Sequence, residues 1–369
     1  MELSEETQGL GAASRSRSML TRLLRRGRPH HFSIAAALLF LGQCGGGGCA
    51  PTPAPPGAPA TTVPAGQPTL PIPGVKSSSQ VLIQSTSYRG DPSPTGVGAF
   101  RLECAYSHMN NDDPIVYPGQ VGKAHLHTFF GNTGTNAAST HNSLRTSGRG
   151  TCAGGIANRS AYWVPSMMNG AGQPIVPAYA FMYYKSGHRS VQPGQINNIP
   201  NGLKMLAGDM RASSAQSTEV VEWYCMNGNN TGAAGAVPNC RAGDQVVLSV
   251  TFPQCWDGKN LDSADHKSHM AYPTYGVGCP ASHPVGIPVI TTNVVWDVPA
   301  GGVTGWRLSS DMYATNLPGG LSAHADFMEA WDPAIRDTFT TKCVRGAFDC
   351  QVRYLGDGRV LLDPTETSP

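Results

Sequence analysis

No apolar run in this chain approaches the ~20 residues that a membrane-spanning helix needs; the conspicuous one, Ile34–Leu41, is eight residues long. Charge is scarce as well. There are 26 Lys and Arg against 24 Asp and Glu in 369 residues, a net charge of +2. Part of that surplus sits near the N-terminus, so the remainder is close to neutral. It offers no basic face of the kind nucleic-acid binding requires, and no nucleic-acid partner is expected. Several catalytic signatures are missing too. There is no Gly-x-Ser-x-Gly elbow, no phosphate-cradling glycine loop and no His-Glu-x-x-His helix, which argues against a serine hydrolase, a nucleotide enzyme and a typical zinc protease. The absence of any Cys-x-x-Cys likewise argues against a thiolate zinc cage.

What is present begins with an address. Arg15, Arg17, Arg22, Arg25, Arg26 and Arg28 precede the apolar run Ile34–Leu41, and small residues follow it. Basic, apolar, then small is the order of a secretory signal, here assigned to residues 1–50, with a signal anchor as the alternative. Cys44 and Cys49 follow among glycines. They fit a lipoprotein attachment cysteine imperfectly, because Gln43 precedes Cys44; otherwise both leave with the signal. Contact with a membrane is expected only through such a signal or lipid anchor. Residues 51–74 are almost entirely Pro, Ala, Thr and Gly, a composition that stays extended and reads as a stalk. The folded part is then 75–369, read as one domain.

Eight cysteines fall in that domain: Cys104, Cys152, Cys225, Cys240, Cys255, Cys279, Cys343 and Cys350. An even number behind an export signal argues for disulfides in an oxidising, extracytoplasmic compartment. Eight allow 105 pairings, so connectivity does not follow from sequence; joining each cysteine to its neighbour is the simplest arrangement.

With 44 glycines and 30 prolines the chain is rich in turns. Short β-branched and aromatic runs recur between them: Gln80–Ile83, Val176–Tyr184, Gln245–Phe252 and Ile287–Val295. These read as strands, and the alternation of Val246, Leu248, Val250 and Phe252 marks a buried face. One helix is well signalled, with Asp332 as cap, Pro333 in the first turn, and Ile335 and Phe339 four apart. A second, shorter helix is expected over Phe327–Trp331. The fold class is mostly β, a single β-sandwich or jelly-roll-like domain with long loops, a few short helices and several disulfides.

The chemistry concentrates in histidine-carboxylate segments: His108 with Asp112 and Asp113, His125-Leu126-His127, Asp262 to His269, and His324-Ala325-Asp326. In a strand, residues two apart face the same side, so His125 and His127 can converge on one ion with Leu126 turned away. If Asp262–His269 forms a helical turn, Asp262, Asp265, His266 and His269 share a face. Candidate acid-base residues are Asp113, His127, Asp262, Asp265 and His266. Candidate metal ligands are His125, His127, His269 and His324. A mixed imidazole and carboxylate set suits several divalent ions, so the expected cofactor is a divalent metal whose identity stays open. The blander reading is that Asp113 and Asp326 cap turns and the histidines bond to carbonyls. Tyr162, Trp163, Trp256, Lys267 and Tyr272 are candidates to hold a substrate, because flat rings beside carboxylates grip sugars. Tyr162-Trp163, after the polar turn Asn158-Arg159-Ser160, is the expected exposed pair.

Longer blocks carry a resemblance. Phe100–Cys104 with Ser107-His108, Asp113–Val116 with Pro118-Gly119, and His125–Gly131 resemble the opening of the DUF1996 family. Ser160–Pro165, Phe252–Gly258, Asp265–Pro273, and His324–Phe327 with Trp331-Asp332 resemble its later blocks. The likeness runs from Phe100 to Asp332, with one departure: Glu329-Ala330 stands where a small polar residue and a glycine are expected. The family is a domain of unknown function common in secreted proteins. The resemblance therefore implies an extracellular setting rich in polysaccharide and supplies no reaction. The functional expectation is a secreted or envelope-anchored hydrolase or lyase acting on cell-wall or other extracellular polysaccharide through a His/Asp site. The alternatives are a non-catalytic carbohydrate- or metal-binding module, and an envelope protein whose polar clusters stitch loops together.

Overall fold

The computed structural model describes residues 74–226 and 233–365. The expected signal and all but the last residue of the stalk lie outside the described residues. Within them the protein is mostly β. Twelve strands build two main sheets: β1 Asp91–Pro92, β2 Ala99–Cys104, β3 Tyr106–Asn110, β4 His127–Gly131, β5 Ala161–Pro165, β6 Tyr179–Lys185, β7 Lys204–Gly208, β8 Val221–Met226, β9 Gln245–Thr251, β10 Val289–Asp297, β11 His324–Met328 and β12 Phe348–Val352. The larger sheet runs β8-β9-β10-β6-β2-β12-β1, antiparallel except for the parallel pair β2 and β12. The smaller runs β3-β4-β5-β11-β7, antiparallel throughout.

Alternation decides which faces are covered. β6 buries every second residue (Ala180, Met182, Tyr184), and so does β8 (Val221, Trp223, Cys225). The larger sheet therefore has one core face and one face toward solvent. β4, β5 and β11 are buried at all five positions. A strand buried throughout must have something packed on both sides of its sheet. On one side Phe130, Tyr162, Val164, Met205 and Phe327 join Phe100, Leu102, Tyr184, Leu248 and Ile290 of the larger sheet in one hydrophobic core. Phe327 packs on Tyr162 with ring centroids 5.1 Å apart, and the Tyr162 and Tyr184 hydroxyls bond at 2.6 Å across the interior. Trp331 Nε1 donates to the same Tyr184 oxygen at 3.0 Å. On the other side long loops lie over a smaller apolar cluster that includes Ile115, Phe129, Leu144, Trp163 and Met328.

The four runs read as strands each contain or abut one, and the expected helix is α2, Pro333–Phe339, after α1 at His141–Thr146. Asp332 caps α2 by accepting from the Ala334 and Ile335 amides. The four disulfides join neighbours: Cys104–Cys152, Cys225–Cys240, Cys255–Cys279 and Cys343–Cys350. Such links stabilise chiefly by restricting the unfolded chain. The short helix expected over Phe327–Trp331 is not formed. Phe327 and Met328 belong to β11, which pairs with β5 on one side and β7 on the other, and that pairing overrides the local preference. α1 went unread although Thr140 and Ser143 form a reciprocal capping box at its start. The usual signature places Glu or Gln at the second position.

Phe327 should be a keystone of the shared core. Phe327→Ala is expected to cost about 3–5 kcal/mol, measured as a shift in the urea unfolding midpoint at neutral pH. A loss below about 1 kcal/mol would mean that the two sheets do not share one tightly packed core.

Candidate metal centre

The outward face of the smaller sheet carries polar groups that its neighbours do not satisfy. Cross-strand register places Phe129, Trp163, Asp326 and Leu206 in one row, with His324 opposite Gly208 one step along. β4 contributes His127 and β11 contributes His324 and Asp326 to this face. Gly208 lets the edge strand come close: its φ is +83°, and a Cβ there would collide with the backbone of Ala323 and His324. The chain before β4 brings in His125, whose ring lies 4.2 Å from His127 and 5.0 Å from His324, centroid to centroid. The loop after β3 supplies Asp113.

Three of these side chains, His127, His324 and Asp113, are held from behind, leaving their other polar atoms facing inward. His127 Nδ1 lies 3.0 Å from the Asp112 carbonyl and His324 Nδ1 lies 2.9 Å from the Ser322 carbonyl. A carbonyl only accepts, so each Nδ1 carries the proton and each Nε2 presents a lone pair. Metal-ligating imidazoles are commonly oriented in this way. Asp113 Oδ1 accepts from the Ile115 and Val116 amides, both at 2.9 Å, which fixes Oδ2 on the other side. The inward atoms are His125 Nε2, His127 Nε2, His324 Nε2, Asp113 Oδ2 and both oxygens of Asp326. All six are buried, and none has a hydrogen-bond partner among the described residues. His324 Nε2 and Asp326 Oδ2 come no closer than 4.0 Å. Leaving one buried polar atom unpaired costs ~1–3 kcal/mol, so six in one place call for a ligand.

The donors fall into two overlapping groups, His125 with His127 and His324, and Asp113 with His127 and Asp326. Within each group the ligand atoms lie within 4.8 Å of one another. That is close to the ~4 Å spread of donors arranged at ~2.0–2.2 Å around one ion. These groups can hold a metal ion.

The electrostatics fit a site that expects positive charge. Burial, then the neighbouring His127 and His324 rings, drives the His125 pKa far down. Burial also lowers His127 and His324 to about 4, so all three rings are neutral ligands at neutral pH. Burial and then the charge of Asp113 push Asp326 well above the usual carboxylate range. Asp113 is raised by burial as well, although the two amides it accepts from oppose the shift. A cation between these carboxylates would reverse both shifts.

Other sequence candidates sit elsewhere or are already engaged. The segment 262–269 is a chain of turns rather than a helical turn. Its His269 is buried with Nδ1 2.9 Å from Ser263 Oγ and Nε2 2.7 Å from the Lys204 carbonyl, and it joins neither donor group. Asp265 accepts from the Lys267 and Ser268 amides and from Ser263 Oγ, bonds that hold it well below the usual carboxylate range. Asp262 bonds His266 Nδ1 at 2.8 Å and Lys204 Nζ at 2.9 Å. Burial pushes Asp262 up, but those bonds outweigh it and the net shift is downward. Lys267 Nζ donates to the Gly208 carbonyl at 2.7 Å, and its charge reaches His324 and Asp326. His266 is close enough to act on Asp113. Thus Asp262, His266 and Lys267 border the donor groups without entering them.

The expected exposed pair is not exposed. Tyr162 and Trp163 are both fully buried because β5 is covered on both faces. Tyr162 belongs to the inter-sheet core, and Trp163 stacks on Phe129 beside Asp326. Trp256 is half-buried and donates through Nε1 to the Asn260 carbonyl at 2.6 Å. Tyr272 donates its hydroxyl to the Thr251 carbonyl at 2.7 Å. Asp326 is the residue that sequence reasoning left undecided between cap and ligand. Its two-residue spacing from His324 was the available signal, and the strand assigns it to the donor face. Glu329, at the departure from the family pattern, is fully buried and bonds Arg336 Nη1 at 2.9 Å and the Gly202 amide at 2.8 Å.

Fold and site together define a disulfide-linked, mostly β protein with a buried histidine-carboxylate cluster, and four disulfides point to an extracellular setting. Residues 113–331 match the model of the domain of unknown function DUF1996. That is more than half of the chain, which belongs to this family, and the matched span encloses all five donor residues. No curated protein and no solved structure matches the chain. Among the described residues no helix is long and apolar enough to cross a membrane.

The imidazoles make a pH prediction for the metal-free protein. Above pH ~6.5 His127 and His324 are neutral in both folded and unfolded states, so their titration contributes nothing. Between about 6.5 and about 4 the unfolded chain takes up protons that the folded one refuses. Stability therefore falls as pH falls through this window, by on the order of 2–4 kcal/mol per ring at the limit. The raised carboxyls of Asp113 and Asp326 act in the opposite sense and offset part of the loss. His127→Gln/His324→Gln should flatten the fall, read from urea midpoints at a series of pH values. An unchanged slope would show that these rings titrate normally.

Proposed function

We propose that the protein is an extracytoplasmic divalent-metal protein whose ion is held by His127 and His324 with His125, Asp113 and Asp326. The observation that carries this reading is the convergence of six buried, unpartnered donor atoms from three separate segments. The donor chemistry favours zinc, iron, manganese or copper(II) over calcium, because imidazoles predominate and neither backbone nor amide oxygens join the groups. One ion shared by the five residues would suit the overlapping groups, because His127 belongs to both and its Nε2 has a single lone pair.

The residues bordering the donors extend the reading to an enzyme. His266, hydrogen-bonded to Asp262, is a half-buried imidazole beside the centre, suited to carry a proton to or from a substrate. Lys267 adds a positive charge on the same side. With the extracellular setting, this supports a metal-dependent hydrolase or lyase acting on extracellular polysaccharide. A metal-free glycosidase fits less well. Its two carboxyls stand ~5–9.5 Å apart around the scissile bond, whereas the Asp113 and Asp326 donor atoms lie within 4.8 Å of each other and are buried. The enclosure of the donors favours one competing reading, a non-catalytic metal-binding module of the envelope.

Elemental analysis of the purified full chain tests the central claim. A stoichiometric transition metal is expected, falling at least tenfold in His127→Ala and in Asp326→Ala, since removing a side chain that would bind the ion directly costs more than the ~10–100-fold typical of losing a group that only orients a ligand. Metal-free preparations that take up no zinc, manganese, iron or copper at micromolar concentration would refute it. His266→Ala separates the two readings: an enzyme loses turnover of polysaccharide with its metal content intact, whereas a non-catalytic module shows no turnover before or after the change.

A further inference from the structure

The solvent-facing side of the larger sheet carries a second candidate surface, far in character from the metal donors. Cross-strand register lines up Glu222, Ser249, Asn293 and Phe181 in one row across β8, β9, β10 and β6. The row on one side places Thr251, Thr291 and Tyr183 together, and the row on the other places Tyr224, Val247, Val295 and Tyr179 together. A polar row thus runs between two rows that carry tyrosines. The surface dips into a trough of about 450 Å³ lined by Tyr183, Lys185, Glu222, Tyr224, Ser249, Thr291 and Asn293.

We propose that this trough binds an uncharged polysaccharide chain. Asn293 Oδ1 is buried and has no hydrogen-bond partner among the described residues. No hydrogen bond among the described residues engages the Tyr183 and Tyr224 hydroxyls, the Ser249 hydroxyl or the Glu222 carboxylate either. A sugar presents hydroxyls that both donate and accept around a C–H face, which suits polar groups set between aromatic rings. A phosphate-bearing ligand suits the trough poorly. Arg101 beside it is paired with Asp349, Lys185 sits over the Tyr183 ring, and the same lining carries the opposite charge of Glu222. A peptide helix would need an apolar groove, and the floor here is Ser249, Thr291 and Asn293. Antiparallel sheets often leave one face to solvent, but a depression that holds a buried, unpartnered Asn293 Oδ1 between rows carrying tyrosines is a binding surface rather than a bland exterior.

The site is independent of the metal reading, and the experiment keeps them apart. The full chain is run in affinity electrophoresis against gels holding a β-1,3-glucan, a β-1,4-glucan, a mannan or a xylan, with polygalacturonate as the charged control. Retardation by at least one neutral polysaccharide is expected. Tyr183→Ala and Tyr224→Ala should each weaken it roughly fivefold to tenfold, and Asn293→Ala should weaken it without touching an aromatic ring. His127→Ala should leave it unchanged, so loss of metal and loss of glycan binding are read separately. Circular dichroism identifies any variant that fails to fold, and the remaining variants then decide. No retardation by any neutral polysaccharide, or retardation unchanged in the folded variants, would overturn the proposal.

Discussion

Strand β11 is hydrogen-bonded along both edges and buried on both faces. Alternation along it has no solvent side to offer, so every second residue must be accommodated by packing or by chemistry. Ala325 and Phe327 go to the inter-sheet core. His324, Asp326 and Met328 go to the opposite face, where loops rather than water meet them. A polar residue there is stable only if something pairs with it, and the protein supplies further donors instead of partners: His125, His127 and Asp113. The candidate metal centre follows from this arrangement, as does the cover over it.

The same constraint explains the tautomers and the shifted titrations. The cluster lies in a low-dielectric space, which penalises every charge placed there singly. The imidazoles respond by remaining neutral, and the carboxyls respond by resisting ionisation. Both responses are compromises, because neutral histidines and acids that resist ionisation still leave their inward atoms without partners. One cation removes the conflict, since it makes neutral imidazoles into ligands and lets Asp113 and Asp326 ionise beside it. The backbone carbonyls of Asp112 and Ser322 hold two of the rings from behind, and Asp113 is held by two amides. Rotating any of these away to find water would break a bond already made, so the inward atoms are held where they can converge on one ion.

Much of the fold was legible because local patterns and tertiary structure agree. Val246 to Phe252 alternates as a half-buried strand should, the Asp332-Pro333 pair starts α2, and each cysteine finds its neighbour. The site was legible in part. His125, His127 and His324 could be selected by spacing, and Asp113 by its place in the same block. His269, expected among the metal ligands, shows where local density misleads. Asp262 to His269 is the densest titratable stretch, but its groups satisfy one another within a few residues. Asp265 bonds its own turn, Asp262 bonds His266, and His269 spans Ser263 and Lys204. Local density marks self-sufficiency there. The donors that stay unsatisfied are sparse and come from strands and loops far apart in sequence, so only pairing register reveals that they meet. Tyr162 and Trp163 were misjudged for a related reason. A strand buried on both faces shows no alternation, and a polar turn before it says nothing about what lies above.

The departure at Glu329-Ala330 shows how the end of this sheet is held. Glu329 follows β11 directly and is fully buried, an expensive place for a carboxylate. Arg336, the Gly202 amide and the Trp331 amide offset that cost by occupying both oxygens. Arg336 lies on α2, and Gly202 lies just before β7. One side chain thereby ties the helix, the edge strand and β11 at a single point, a few residues from Asp326. Trp331, two residues further on, reaches Tyr184 on the larger sheet. A small residue and a glycine in these positions would leave Arg336 with Asp337 as its one remaining carboxylate partner and the Gly202 amide without its acceptor. The donor face and the solvent-facing trough lie on opposite outer sides of the shared core, so a ligand held in the trough would not thereby be placed at the candidate metal centre. On the proposed readings, such a surface would retain the protein on a polysaccharide matrix, while any chemistry at the donor face would be separate and bordered by His266 and Lys267.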